Sequence, residues 1–207
     1  MEFYDRKDKR KRVAHEAANL LYTEQEKEYK QAQYRAAKTL GIHVLPSNLE
    51  IAMELDEIAR ASEGKKKQEK LVTMRQQALL IMQTLDKFNP ILVGSVWRGT
   101  AHHNSDIDII AYTQKPQVVI SALEKSGRSI TQKKFQTTTK KGEKQHSLHI
   151  YVKLKIHATA EIVVRNSEVL DRKIKCEIYG DLVTGLTIGE LERVLEENPA
   201  RKFLPTL

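Results

Sequence analysis

Cysteine, long apolar runs and aromatic residues are all scarce in this sequence. Cys176 is the only cysteine among 207 residues, which excludes an internal disulfide and a cysteine-rich zinc site. No apolar run approaches the ~20 residues that span a bilayer, and the segment from Met1 to Lys7 lacks the apolar stretch of a secretory signal. We therefore expect a cytoplasmic protein without a membrane segment, in which Cys176 is a buried, unreactive thiol.

Positive charge, by contrast, is in excess. The 35 Lys and Arg residues outnumber the 27 Asp and Glu residues and give a formal net charge of +8. Such an excess favours polyanionic partners, because neutralised phosphates release their counterions. Six of the seven residues from Arg6 to Arg12 are positive, and this run is either a phosphate-binding surface or a solvated helix end. The composition therefore favours a nucleic-acid partner without identifying one.

Helical spacing dominates the first part of the chain. Apolar residues from 10 to 40 recur at three- and four-residue steps, which indicates a long charged helix or a helix pair that ends at Gly41. Ser47 is the predicted N-cap of a further helix, and another amphipathic pattern covers 68–88. We predict an α-helical N-terminal region over residues 1–88.

After residue 88 the pattern changes to short β-type runs. One predicted helix covers 116–125, and Thr187 is the predicted cap of a last helix. A glycine-containing turn at 140–143 joins two of the strands into a hairpin. The predicted strands cover 91–93, 107–112, 129–139, 145–156, 158–164 and 174–179. Residues 89–207 are therefore predicted to form an α/β (α+β) unit with a mixed central sheet.

The segment that joins the first two predicted strands contains the clearest chemical signal. Gly94 and Ser95 end the first strand, ten residues follow, and Asp106 and Asp108 open the second strand. Alternate residues of a strand point to the same face, so the two carboxylates are expected side by side. Neighbouring carboxylates repel each other unless a cation lies between them. Because Mg²⁺ prefers such hard oxygen ligands, the segment predicts a magnesium site.

Four more residues are candidates for the same site. Gly94 lets the backbone approach a phosphate closely, and Ser95 offers a hydroxyl and a backbone N–H to its oxygens. Arg98 is either a further phosphate ligand or a solvated loop charge. Glu161 is the only acidic residue in an apolar predicted strand. It is either the third carboxylate of the metal site or an outward-facing residue of an edge strand.

The histidines and the single tryptophan near this segment have weaker interpretations. His102 and His103 lie in the loop beside the predicted site, where histidines more often have no role than contact a nucleotide. His149 lies on a predicted strand without a spacing typical of zinc sites, so a surface role is expected. Trp97 either stacks on a base or fills the core, and the core is favoured.

The Gly-Ser pair followed ten residues later by Asp-x-Asp resembles the signature of the DNA polymerase β-like nucleotidyltransferase superfamily. Minimal nucleotidyltransferases and archaeal CCA-adding enzymes belong to it. The continuation Arg98-Gly99-Thr100 also resembles the family pattern. The resemblance covers roughly residues 86–165 and implies a nucleotidyltransferase domain within 89–207. It further implies that Gly94 and Ser95 hold the triphosphate, while Asp106, Asp108 and a later carboxylate bind two metal ions.

This resemblance implies an enzyme that transfers a nucleoside monophosphate from an NTP, such as ATP, to an acceptor hydroxyl and releases pyrophosphate. The implied cofactor is a pair of Mg²⁺ ions, with Mn²⁺ as the alternative. Because of the net charge we expect an RNA acceptor. The alternatives are a minimal nucleotidyltransferase that modifies a protein, as in toxin-antitoxin pairs, and a non-catalytic nucleotide- or RNA-binding module. A protein partner or a homo-oligomer is compatible with either.

Overall fold

Helices form the first part of the fold. The computed structural model describes residues 2–140, 143–170 and 172–205. Gly41 ends the second helix in the left-handed conformation, and Ser47 begins the third through a capping box with Glu50. Of the two predicted alternatives, one long helix or a helix pair, the structure has the pair, and the predicted helix end at Gly41 and helix start at Ser47 are confirmed. The four helices are α1 (Glu2–Tyr22), α2 (Tyr29–Leu40), α3 (Asn48–Glu63) and α4 (Lys65–Thr84).

A five-stranded mixed sheet follows the helices. Its strand order is β1-β2-β5-β4-β3, in which β2 and β5 are parallel and the other three pairs are antiparallel. This arrangement confirms the predicted α/β fold with a mixed central sheet. The elements are β1 (Ile91–Val93), α5 (Gly94–Arg98), β2 (Ile107–Tyr112), α6 (Pro116–Lys125), β3 (Ser129–Lys140), β4 (Glu143–Lys153), β5 (Thr159–Arg165) and α7 (Ile188–Glu197).

The two faces of the sheet have different surroundings. On β5 the buried side chains of Ala160, Ile162 and Val164 alternate with the half-buried Glu161 and Val163. The buried set belongs to the main apolar core, to which α4, α6 and α7 also contribute. We call the opposite face, which carries Glu161, the site face.

A second apolar core lies within the helical region. It is built from α1, α2 and the first part of α3. The apolar side of α4, including Met74, Ile81 and Met82, lies instead in the main core with the sheet. The domain division at residue 88 stays a prediction, and by its packing α4 belongs with the sheet.

Buried charges fix the chain that follows α7 against α4. The fully buried Arg75 of α4 donates hydrogen bonds to the carbonyls of Val96 (3.1 Å), Trp97 (2.9 Å), Pro199 (2.7 Å) and Arg201 (2.8 Å). One guanidinium therefore satisfies carbonyls of α5 and of the C-terminal segment at once. Arg75 thus links α5, which begins at Gly94, to the segment that follows α7.

The predicted strand at 174–179 does not form, because its backbone is used in a turn in which Gly180 N–H binds the Cys176 carbonyl at 2.9 Å. Only an isolated bridge between Lys175 and Leu182 has strand geometry there.

Cys176 is free but half-buried, and thus more exposed than predicted. The hairpin turn at 140–143 has its two central residues outside the described ranges. Among the helices that are described, none has the length and apolar character needed to cross a membrane.

Candidate active site

Gly94 and Asp108 lie in direct contact at the centre of the candidate site. The pairing of β1 with β2 sets Val93 opposite Asp108, so the chain turns at Gly94 directly above that carboxylate. Gly94 has a φ of +71°, and a Cβ atom added there would lie 1.9 Å from Asp108 Oδ2. Only glycine therefore fits between the start of α5 and the aspartate.

Glu161 lies beside Asp108 on the neighbouring strand. The two residues are paired in the parallel β2–β5 ladder, and both belong to the site face. This placement is the one that its role as the third carboxylate of the metal site requires, and that role stays a prediction. β5 is flanked by β2 and β4, so the alternative of an edge strand is wrong.

Glu161 is held by two side chains of β4 that sequence reasoning did not select. His149 Nδ1 lies 2.6 Å from Glu161 Oε1, and the Tyr151 hydroxyl donates to the same oxygen at 2.8 Å. Ser147 Oγ contacts the other ring nitrogen of His149 at 3.0 Å. These three residues occupy every second position of one strand, and this spacing was the sequence signal that could have identified them as a group. The strand pairing that brings them to Glu161 was not visible in the sequence.

Asp106 is less enclosed than its neighbours. It is exposed and directly precedes β2. Among the described residues, Asp106, Asp108 and Glu161 do not form a group whose ligand atoms all lie within 4.8 Å. The structure thus pairs Asp108 with Glu161 in the β2–β5 ladder, but it does not draw the three carboxylates into one compact group.

Negative charge accumulates in this cluster. Burial, and then the charges of Glu161 and Asp106, raise the pKa of Asp108 to about 7. For Asp106, removal of part of its hydration by surrounding atoms and then the charge of Glu161 raise the pKa as well. The hydrogen bond to Glu161, followed by burial, raises the pKa of Tyr151 to about 12. All three shifts have the direction expected where anionic groups lie close together with too little compensating positive charge.

Ser95 and Arg98 have different positions. Ser95 is half-buried and follows Gly94 in α5, as the motif implies. Arg98 is only 3% exposed, and its guanidinium makes two hydrogen bonds to Asp181 at 2.7 and 2.6 Å. It also donates to the Phe203 carbonyl at 3.0 Å. Because its donors are directed to the C-terminal segment, the structure does not bring Arg98 to the carboxylates.

Arg98 instead stabilises the fold around α5. Its guanidinium stacks on the rings of Trp97 (4.0 Å) and Tyr179 (4.7 Å). Trp97 itself is 3% exposed, so its interpretation as a core residue is confirmed. The buried ion pair with Asp181 explains the position of Arg98. Asp181 is too distant in the sequence for a local pattern to have revealed this pairing.

The donor set of the carboxylates fits hard divalent cations. Asp108 and Glu161 are adjacent, and the two hydrogen bonds to Glu161 both end on Oε1. Carboxylate oxygens of this kind are the ligands that Mg²⁺ and Mn²⁺ accept. Because Gly94 approaches Asp108 closely and has no side chain, its backbone lies above the carboxylate.

Comparisons with known proteins give one family model and several weak structural likenesses. Residues 74–175 match a family described as a domain of unknown function (DUF4269). No curated protein matches the chain.

Three solved structures illustrate the structural likenesses. A cytoplasmic RNA terminal U-transferase is 17% identical with a TM-score of 0.34, and the match covers 56% of this chain and 34% of that one. Cid1 with the UTP analogue UMPNPP is 18% identical with a TM-score of 0.33, and the match covers 49% of this chain and 32% of that one. The GLD-2/RNP-8 complex is 14% identical with a TM-score of 0.35, and the match covers 59% of this chain and 44% of that one. This chain therefore spans less than half the length of each.

The contact between Gly94 and Asp108 predicts a position-specific effect of alanine. Gly94→Ala and Gly180→Ala both place a side chain at positive φ, at +71° and +75°, but a Cβ at position 180 meets no atom within 4 Å. We expect a loss of unfolding free energy of about 1 kcal/mol for Gly180→Ala and about 2 to 4 kcal/mol for Gly94→Ala. Urea denaturation measures both. Equal losses would contradict the close approach.

The raised pKa of Asp108 predicts a pH-dependent effect of asparagine. The folded-state pKa is about 7, whereas an unfolded aspartate has about 3.9. The stability contributed by Asp108 is therefore present below pH ~4 and lost as the pH rises through ~7. Because Asp108→Asn cannot ionise, its stability relative to wild type should increase by roughly 2 kcal/mol from pH 5 to pH 8.

This comparison requires metal-free buffer and chemical denaturation at both pH values. Asp86→Asn, at an exposed position outside the site, is the matched control. A stability difference between Asp108→Asn and wild type that is the same at pH 5 and pH 8 would show that Asp108 does not titrate in this range.

Proposed function

We propose that this protein is a metal-dependent nucleotidyltransferase that transfers a nucleoside monophosphate from an NTP to an acceptor hydroxyl. The observation that carries the proposal is the contact of the Gly94 turn with Asp108, beside Glu161 on the next strand. In this arrangement a phosphate can contact the backbone of the Gly94 turn, and a bound cation can lie between the negative phosphate oxygens and the carboxylates.

Each residue has a defined task in the proposed reaction. Gly94 and Ser95 bind the triphosphate through backbone N–H groups and the Ser95 hydroxyl. Asp106, Asp108 and Glu161 hold two Mg²⁺ or Mn²⁺ ions, which supply charge neutralisation for the triphosphate and the entering oxygen. His149 and Tyr151 position Glu161 by fixing Oε1.

The chemical step exchanges one phosphorus–oxygen bond for another. The acceptor oxygen forms a bond to the α-phosphorus, and the bond from that phosphorus to the oxygen bridging to the β-phosphate breaks. Pyrophosphate leaves with the bonding electrons, and the acceptor hydroxyl proton departs to the carboxylate cluster. The positions of Gly94 and Asp108 would align the triphosphate for this in-line exchange.

RNA is the acceptor that the charge distribution favours. On the site face, Lys134 of β3 lies directly opposite His149, and Arg165 of β5 opposite Ser147. From standard strand spacings their Cα atoms are about 12 to 13 Å from that of Glu161, so both long side chains extend over the same face. Together with the net charge of +8, these cations form a path along which a phosphodiester backbone could reach the carboxylates.

The transfer reaction is tested with each α-labelled NTP, Mg²⁺ or Mn²⁺, and either total RNA or cell protein. We expect metal-dependent labelling of RNA that is at least about 10²-fold slower in Asp108→Asn. Asp86→Asn should keep wild-type activity. Because Asp108→Asn is expected to fold at least as stably as wild type at neutral pH, its loss of activity would not reflect unfolding.

The remaining outcomes of the same experiment distinguish the alternatives. Label on protein instead of RNA would favour the protein-modifying enzyme. Tight NTP binding without any labelled product, unchanged in Asp108→Asn, would contradict transfer and favour a binding module. In each case the labelled NTP also identifies the preferred base.

The acceptor path predicts opposite results for two adjacent lysines. Lys134 is on the site face, whereas Lys133 lies opposite the buried Ile150 and is 3.8 Å from Glu124 of α6 on the other side of the sheet. Both substitutions to glutamate make the same change of charge. We expect Lys134→Glu to weaken binding of a single-stranded RNA oligonucleotide by about tenfold, and Lys133→Glu to have a much smaller effect.

Fluorescence anisotropy at two salt concentrations measures this difference. The salt dependence should be weaker for Lys134→Glu than for Lys133→Glu, because one phosphate contact is lost. Equal effects of the two variants would show that binding depends on net charge alone and would remove the acceptor path from the proposal.

A further inference from the structure

We propose that Glu63, His102 and His103 form a binding site for a transition metal ion, with Zn²⁺ as the expected occupant. One ligand atom from each of the three residues lies within 4.8 Å of the other two, and they are the one such group among the residues that the structure describes. The site is separate from the carboxylates of the proposed function and does not depend on that function.

The geometry of the group is already close to a coordination sphere. His103 Nδ1 lies 3.1 Å from Glu63 Oε1, whereas ligands about 2.1 Å from a tetrahedral ion are separated by about 3.4 Å. Two of the three ligands are thus at the required separation before any ion is bound. The ligand atom of His102 lies within 4.8 Å of the other two, so a local adjustment of its ring would complete the set.

The chemistry of the donor set selects a different ion from the one expected at Asp108. Two imidazole nitrogens and one carboxylate oxygen form a three-ligand set that is typical of zinc sites in which water occupies the fourth position. Mg²⁺ and Ca²⁺ instead prefer all-oxygen surroundings.

The local framework holds the three residues in place. Glu63 is the last residue of α3 and its Oε1 also accepts the His103 backbone N–H at 3.0 Å. The ring of Tyr22 packs against His103 with 4.6 Å between centroids. Two nearby lysines are already engaged, since Lys67 pairs with Asp56 at 2.8 Å and Lys70 donates to the His103 carbonyl. An incoming cation therefore meets a preformed loop and partly compensated positive charge.

A second histidine–glutamate contact provides a matched control for this site. His15 Nδ1 lies 3.0 Å from Glu54 Oε2, nearly the same separation as in the His103–Glu63 pair. No third ligand completes that pair among the described residues. If a histidine–glutamate contact alone were sufficient for metal binding, the two pairs would bind equally.

The test uses the full chain after removal of metals with a chelator. Titration with Co²⁺ as the spectroscopic probe should give tetrahedral d–d absorption that saturates at one equivalent and is displaced by Zn²⁺. We expect His102→Ala, His103→Ala and Glu63→Gln each to weaken this binding by at least about tenfold. His15→Ala should bind as wild type does. Zn²⁺ should also raise the melting temperature of wild type and of His15→Ala, but not that of His103→Ala.

Two outcomes would overturn the proposal. One is the absence of saturable Co²⁺ or Zn²⁺ binding in wild type. The other is binding that is the same in His15→Ala and His103→Ala, which would indicate adventitious uptake. Circular dichroism of the metal-free variants checks that they are folded, and Glu63→Gln retains an acceptor for the His103 N–H if an alanine variant does not fold. Repeating the titration with Asp106→Ala/Asp108→Ala separates this site from the carboxylate cluster, because its binding should be unchanged there.

Discussion

The organisation of this protein depends on one unfavourable arrangement, an aspartate carboxylate on an interior strand beside a second carboxylate. Asp108 is flanked by β1 and β5, lies under the Gly94 turn and is paired with Glu161. Hydration that would normally stabilise its charge is therefore reduced, and a like charge is added. A core residue selected for stability would be apolar at this position. The arrangement is compatible with a function that supplies a cation or a proton to the cluster.

Much of the remaining structure restrains the elements around this cluster. Arg75 binds carbonyls of α5 and of the C-terminal segment, and Arg98 binds Asp181 and the Phe203 carbonyl. Both guanidiniums are buried, so their donors must be satisfied by fixed partners. The consequence is that α5, which begins with Gly94, is fixed from two sides. The polypeptide after α7 thus contributes to the position of the turn above Asp108.

Local patterns predicted the helical first part of the chain, a helix end at Gly41, a helix start at Ser47 and the mixed sheet, and they identified Glu161 as a candidate. They succeeded because helix caps and strand alternation are decided by neighbouring residues, and because an isolated acidic residue in an apolar strand is conspicuous. They failed where a contact joins distant segments. Arg98 has the local context of a phosphate ligand, but Asp181 determines its position. His149 and Tyr151 reach Glu161 only through the register of β4 with β5, which no local pattern specifies. Whether these residues bind metal and nucleotide stays a prediction.

The loop between α5 and β2 connects the helical region to the site. The side chain of Asn104 donates to the Tyr22 carbonyl at 3.4 Å, Lys70 donates to the His103 carbonyl, and the His102 N–H binds Ser105 Oγ at 3.0 Å. Asp106 follows directly, and the charges of Glu24 and Lys27 from the segment between α1 and α2 act on its pKa. Because Asp106 directly follows this loop, the contacts of the loop limit where its carboxylate can lie. The helical region therefore restrains the segment that leads into the carboxylate cluster, which gives it a physical role in the site even if it never contacts a substrate.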